Sequence, residues 1–312
     1  MPGQMTIFAR IAIVGVGLIG GSIARAAKEK GAASAVSLYD FNADALKRAG
    51  EIGFGEPRGS LADAVSDADC VFLCIPVGAM GEAGRAAIAE MKPGAILTDV
   101  GSVKGSVAKE LRSGAKPGVH IIPGHPIAGT EKSGPDAGFA SLFENRWFIL
   151  TPDAGTDPAY LAATDSLAKF WQTLGSKVER MDASRHDLVL AVTSHIPHLI
   201  AYNMVATAYD MEQVTEGEVV KFSAAGFRDF TRIAASDPIM WRDVFLNNKE
   251  AVLEVLGRFE EDLTALRKAI RNGDGQKLFD TFTHSRRIRR EIIDAGQDTA
   301  IPNFGRDTTK KP

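Results

Sequence analysis

Cysteine is nearly absent: the 312-residue chain has two, Cys70 and Cys74. Both fall on one apolar run, Cys70-Val-Phe-Leu-Cys-Ile-Pro76, where four residues of strand would separate them by roughly 13 Å, too far for a disulfide. That scarcity excludes a disulfide scaffold and suits small buried hydrophobes in a reducing compartment, so a cytoplasmic protein is expected. Strong charge of one sign is also missing. The formal net charge is −3, and no run of basic residues occurs, so neither nucleic acid nor a membrane surface is an expected partner. No apolar run approaches the ~20 residues of a membrane span, and no charged segment leads into an apolar stretch at the N-terminus. No internal repeat is visible.

What the chain does have is size and pattern. With 45% hydrophobic and 24% charged residues, it is ordinary for a globular protein and long enough for two cores. Apolar strand-like runs alternate with helical segments through the first half: Ile11 to Val14, Ala35 to Asp40, Cys70 to Ile75, Ala95 to Val100, His120 to Ile122, Trp147 to Leu150 and Lys177 to Met181. Continuous apolar strands alternating with helices predict a mainly parallel sheet covered on both faces. After Asp182 strand signals stop. Helical patterns run from Ser184 to Tyr209, interrupted at Pro197, then from Pro238 to about Asn272, and from Gln276 to Ile293. In the second, Val252, Val255, Leu256, Phe259, Leu263, Leu266 and Ile270 form one apolar stripe, which is either core or a dimer face. The expected architecture is therefore an α/β Rossmann-type domain over residues 1–182, followed by an all-helical domain over 183–312. The polar tail from Asn303 is expected to be loose.

Gly15-Val-Gly-Leu-Ile-Gly20 sits between a predicted strand and a predicted helix, the context that a dinucleotide fingerprint requires. Gly15 permits the tight turn, Gly17 lets backbone approach a pyrophosphate, and Gly20 lets helix and strand pack closely. Ile19 opens the helix, to Lys30, whose N-terminal amides would face the phosphates, and Leu18, just before it, is placed at the cofactor too. Asp40 ends the second strand, where a carboxylate accepts hydrogen bonds from ribose hydroxyls and repels a 2′-phosphate; NAD is thus the expected cofactor, not NADP. Arg48 lies too far along the next helix to serve a phosphate. Ile75 and Pro76 follow the next strand and are placed along the cofactor.

In an open parallel sheet, chemistry gathers beyond the carboxyl ends of the strands. Ser102, in Asp99-Val-Gly-Ser-Val-Lys104, and His125, in Pro123-Gly-His-Pro-Ile-Ala-Gly-Thr-Glu-Lys-Ser-Gly134, fall there. His125 is expected on a loop stiffened by two prolines and hinged by glycines. An imidazole near neutral pKa could take a proton while the cofactor takes a hydride. Ser102 could orient His125, cap the helix before Val103, or do both. From the helical half come Thr193-Ser-His-Ile-Pro-His198 and Gly226-Phe-Arg-Asp-Phe-Thr-Arg-Ile-Ala234. His195 and His198 could suggest a metal pair, but no third ligand is evident and no metal is expected.

With these motifs in register, the chain resembles the TyrA family of prephenate, arogenate and cyclohexadienyl dehydrogenases. The carriers are Gly15 to Ser22, Asp99 to Lys104, Gly124 to Glu131, Ser194 to His198 and Phe230 to Ala234. The resemblance implies oxidative decarboxylation of a cyclohexadienyl ring: hydride leaves ring C4 for NAD⁺, the C4 hydroxyl loses its proton, carbon dioxide departs and the ring becomes aromatic. It further implies His125 as proton acceptor, Ser102 beside the nicotinamide and ring hydroxyl, Arg232 gripping a substrate carboxylate, His195 near the substrate side chain, and a homodimer through the helical half. His198 reads as a hydrogen-bonded core histidine, and His120, His186 and His284 as structural or solvated. Lys104 and Trp241 receive no definite role. A β-hydroxyacid dehydrogenase shares the two-part plan but relies on a lysine in the helical half, where this chain offers His195 and Arg232. A noncatalytic NAD sensor would leave His125, Ser102 and Arg232 unexplained together.

Overall fold

The structure, a computed structural model, describes residues 6–130, 132–155, 157–212 and 218–294. Glu131 of the histidine motif and the tail from Asn303 lie outside the described residues.

Strands β1 (Phe8–Val14), β2 (Ala33–Tyr39), β3 (Glu56–Pro57), β4 (Cys70–Leu73), β5 (Ile96–Asp99) and β6 (His120–Ile121) lie in the order β3-β2-β1-β4-β5-β6. Every pairing is parallel. The sequence order reverses between β2 and β4 on either side of β1, which opens a crevice at the carboxyl ends of these strands. Helices α1 (Leu18–Glu29), α2 (Ala43–Ile52), α3 (Leu61–Val65), α4 (Val77–Glu90), α5 (Gly105–Arg112) and α6 (Pro158–Thr173) complete the first half. Central strands are buried on both faces: Ile11, Ala12, Ile13, Val71, Phe72 and Leu73 are wholly inaccessible. That is why they read as unbroken apolar runs.

The last three predicted strands do not all extend this sheet. A second, three-stranded sheet runs β7 (Gly124–Pro126), β8 (Trp147–Leu150), β9 (Lys177–Arg180), with β7 antiparallel to β8 and β8 parallel to β9. His125 therefore sits on a strand, paired with Ile149, and not on the loop that its flanking prolines and glycines suggested. A strand fixes its backbone more firmly than turn chemistry alone. The edge position tolerates Pro126, which cannot donate to a ladder. Phe148 of β8 stacks on Trp171 of α6 with ring centroids 3.9 Å apart, and Phe143 and Phe170 close the same aromatic core.

The helical half contains α7 (Ala183–Leu190), α8 (Ile196–Glu212), α9 (Glu218–Lys221), α10 (Ala225–Thr231), α11 (Pro238–Asn247), α12 (Lys249–Arg271) and α13 (Gly275–Asp294). Pro197 does not interrupt the first of these patterns. One π-helical turn, Ala191–His195, joins α7 to α8, and a wider turn relieves the clash that a proline ring makes with the carbonyl four residues earlier. The second pattern does break, at Asn248, between α11 and α12. α11 packs through Trp241 and Val244 into the same cluster as Val77 and Met80 of α4.

By composition and length, Ala183–Met211 could cross a bilayer, against the expectation from sequence. Its apolar character has another use, because His186, Asp187 and His195 on it are buried and hydrogen-bonded to other elements. Contacts divide the chain into units Met1–Val255 and Leu256–Pro312. Within the second, Leu263, Ile270, Phe279 and Phe282 are all exposed.

Candidate active site

The glycine loop begins where β1 ends. Gly15 has φ +100°, and a Cβ there would meet the Cys74 carbonyl oxygen at 2.4 Å. At Gly20 a Cβ would meet the Gly15 carbonyl oxygen at 2.0 Å. These two glycines are demanded by the fold itself. Gly17 differs: an added Cβ would find no atom within 4 Å. It caps α1 with no side-chain hydrogen bond, so it leaves open ground in front of the Leu18 and Ile19 end of that helix. A dinucleotide pyrophosphate fits such a cradle.

Asp40 follows β2. One of its oxygens accepts from the Val16 amide at 2.8 Å and the other from the Asn42 amide at 2.8 Å. The carboxylate thus ties β2 to the glycine loop. Ile75 lies two residues past β4, and Pro76 caps α4. Arg48 pairs with Asp136 and Glu51.

Beyond β5, Asp99 and Lys104 form a fully buried ion pair. Lys104 Nζ also donates to the Gly124 carbonyl at 2.7 Å, while Asp99 accepts from the Gly101 amide at 2.9 Å and the Gly124 amide at 3.4 Å. Both backbone groups of the residue before His125 are therefore held by the end of β5. Burial pulls the Lys104 ammonium below its ordinary value, and Asp99 opposes that pull.

His125 is 9% exposed. Its Nδ1 lies 2.9 Å from His186 Nε2, and His186 Nδ1 lies 2.8 Å from an Asp187 carboxylate oxygen. Asp187 in turn accepts from the Lys104 and Gly105 amides, each at 2.8 Å. Burial first, then His186, Lys104 and His195, hold the His125 imidazole well below 6.5. It is accordingly neutral, able to accept a proton, at pH 7.

Asn248 donates to the Asp187 carbonyl at 2.9 Å and meets His195 Nδ1 at 3.0 Å. His195 is wholly inaccessible, and its Nε2 has no hydrogen-bond partner among the described residues, although the Ser102 backbone approaches closely enough to favour its charged form. Burial dominates and brings His195 down to about 4. His198 donates from Nδ1 to the Ser194 carbonyl at 2.8 Å and stacks on Trp241 with centroids 3.7 Å apart.

The structure thus gathers His125, the Ser102 backbone, His195 and His198 around one region. Arg232 stands at its edge, exposed but near enough to His198 to lower that ring's affinity for a proton, behind the larger effect of burial. Arg232 makes no ion pair among the described residues. Ser102 does not cap α5; Asp187 occupies that position. Nor does the Ser102 hydroxyl bond to His125, whose ring partner is His186. Sequence reasoning missed His186, Asp187 and Asn248. His186 and Asp187 adjoin near the start of the helix predicted from Ser184, where His186 reads as structural or solvated, and Asn248 is one polar residue in a long helical pattern. None belongs to a glycine-rich or strand-end signal that could have drawn attention to it. The described residues contain no group of three or more histidine, cysteine or acidic side chains placed to hold a metal ion.

Two family profiles match in series: the prephenate dehydrogenase nucleotide-binding domain over residues 23–180, and the prephenate dehydrogenase dimerization domain over 182–284. A cyclohexadienyl dehydrogenase of Zymomonas mobilis is 45% identical over 286 residues, covering 91% of this chain and 96% of that protein. A prephenate dehydrogenase of Bacillus subtilis is 32% identical, covering 94% and 78%. Among solved structures, prephenate dehydrogenase from A. aeolicus, in complex with hydroxyphenyl propionate and NAD⁺, aligns with a TM-score of 0.85 at 35% identity, over 94% of this chain and all of that one. Synechocystis arogenate dehydrogenase aligns at 0.76 and 27% identity, over 90% and 99%.

Proposed function

The chain belongs to the prephenate dehydrogenase family, and from that premise we propose that its crevice carries out the NAD-dependent oxidative decarboxylation of prephenate, arogenate or both, in tyrosine biosynthesis. The observation that carries this reading is the joint placement of a buried His125, clamped through Gly124 to the carboxyl end of β5, and an open dinucleotide cradle at the carboxyl end of β1. β1 and β5 are two strands apart in the sheet, about 10 Å at the usual spacing. That separation is of the order needed to serve one substrate.

NAD⁺, when bound, accepts the hydride from ring C4. The chain's own residues do the rest. Gly17 and the amides opening α1 hold the pyrophosphate, with Leu18 and Ile19 beneath it. Asp40 accepts from ribose hydroxyls, and Ile75 and Pro76 line the cofactor. His125 takes the hydroxyl proton as C4 gains carbonyl character. Its depressed proton affinity keeps it free at neutral pH, and loss of carbon dioxide with aromatisation draws the reaction forward. Ser102 faces the ring hydroxyl. Arg232 pairs with a substrate carboxylate, which a guanidinium can do bidentately while staying charged. His195 contacts the substrate side chain.

We place the division between cofactor and substrate halves at Asp182, supported by the meeting of the two family profiles there. Homodimerisation through the helical half is supported by the dimerization-domain match and by the exposed apolar residues of α12 and α13. Two free cysteines, both with thiols pushed up by burial, suit a cytoplasmic setting. The test is direct. The protein is mixed with NAD⁺ and prephenate, then arogenate, and NADH and CO₂ are followed. Turnover with at least one substrate is expected; none with either ends the reading. His125→Asn should lower kcat by roughly 10²–10⁴ while NAD affinity holds. Undiminished turnover would remove the base.

A further inference from the structure

Histidine is useful in a site only if the correct nitrogen carries the proton, and that is set by what the other nitrogen meets. Here the partners determine it. A carboxylate can only accept, so His186 Nδ1, at 2.8 Å from Asp187, must donate. A neutral His186 then has a bare Nε2, and it must accept from His125 Nδ1 at 2.9 Å. The His125 proton is thereby committed to Nδ1, and its Nε2 keeps a lone pair. The same residue governs the second ring through its main chain. The Asp187 carbonyl also only accepts, so the atom of Asn248 facing it is the amide nitrogen. That nitrogen's other hydrogen points to His195 Nδ1, which must accept. The His195 proton therefore sits on Nε2, the buried atom with no partner among the described residues.

We propose that Asp187 is a positioning residue that fixes the two site histidines in opposite neutral tautomers, leaving an open lone pair on His125 Nε2 and a buried N–H on His195 Nε2. This rests on the reading of His125 as proton acceptor. One ring can then receive the hydroxyl proton, and the other can donate toward the Ser102 backbone beside it. The charged and titratable groups around the pair are His186 and Asp187 of α7, Lys104 and Asp99 from the end of β5, and His198 of α8. Burial, assisted by Lys104, lowers His186 and so keeps it neutral, against the hydrogen bond that it donates to Asp187.

The experiment is long-range ¹H–¹⁵N correlation spectroscopy on the full chain carrying ¹⁵N-histidine. Six histidines make assignment tractable through His125→Asn and His195→Gln. Wild-type spectra should show His125 as the Nδ1–H form and His195 as the Nε2–H form. Either ring in the opposite tautomer overturns the proposal, whatever the variants do. In Asp187→Asn, an amide NH2 turned toward His186 can donate to it, at the expense of the acceptor that the Lys104 amide uses. The relay should reverse and drive His125 to Nε2–H, while His195, held through a backbone carbonyl, should keep its form. kcat should fall about 100-fold or more with KM for substrate changed less than about threefold, as expected for a base held in the wrong tautomer. A general structural loss would move KM and both rings together; that result, or an unmoved His125 with full kcat, overturns the proposal. If His125→Asn keeps its turnover while the wild-type tautomers are as stated, the base assignment fails and the tautomer lock stands.

Discussion

Acid should weaken this fold through His195 before its carboxylates titrate, and the size of the effect can be worked out. His195 is inaccessible to solvent and its pKa is brought down to about 4, chiefly by burial; in the unfolded chain it returns to about 6.5. Because the folded value is the lower one, the unfolded state binds the extra proton first as pH falls. Its contribution is complete above pH 6.5 and is lost progressively between 6.5 and about 4. The loss reaches about 2 kcal/mol by pH 5 and about 3 kcal/mol below pH 4, at 1.36 kcal/mol per unit. His195→Gln keeps a hydrogen-bonding side chain that never charges. Urea unfolding of both proteins, at one concentration and without cofactor, should be compared at pH 7.5 and pH 5. The stability gap between them should shift by about 2 kcal/mol in favour of the variant at pH 5. An identical gap at both pH values would show that His195 is not held neutral by burial.

Three further outcomes follow from the same geometry. Gly17→Ala should melt like the wild type yet raise KM for NAD⁺ at least about tenfold, because the methyl group enters only the cradle, whereas Gly20→Ala should cost the fold itself. Equal melting losses in both would refute the distinction. Lys104→Met strands a buried Asp99 and should destabilise by about 3–5 kcal/mol; pairing it with Asp99→Asn should recover part of that, and denaturant titration reads both. Arg232→Gln should raise KM for substrate about 10- to 100-fold, the worth of a charge-assisted contact, with kcat less affected; an unchanged KM would move the carboxylate contact elsewhere.

Much of this could be read along the chain because it is local. The glycine loop, the acid ending β2, and the polar residues just past strand ends are each signalled within a few positions of the feature that explains them. Unbroken apolar strands announced a buried parallel sheet. The errors arose where one interaction overruled local chemistry. Pro123, Pro126 and the glycines argued for a loop at His125, but pairing with β8 made it a strand. Pro197 argued for a break, but a π turn absorbed it. The second layer of the site was invisible for a related reason: His125 meets His186 across 61 residues, and Asn248 meets His195 across 53. An adjacent His-Asp pair on a helix carries no pattern of its own. Lys104 had no role along the sequence until its burial beside Asp99 showed what it clamps.

That clamp sets which distances can vary during turnover. The Asp99–Lys104 pair grips both the amide and the carbonyl of Gly124, so His125 is referenced to β5, two strands from β1 and its glycine loop. The proton sink and the hydride sink would then ride on one rigid chassis. Any swing in the segment bearing Arg232 would slide the ring across a pair of receivers whose mutual spacing stays constant.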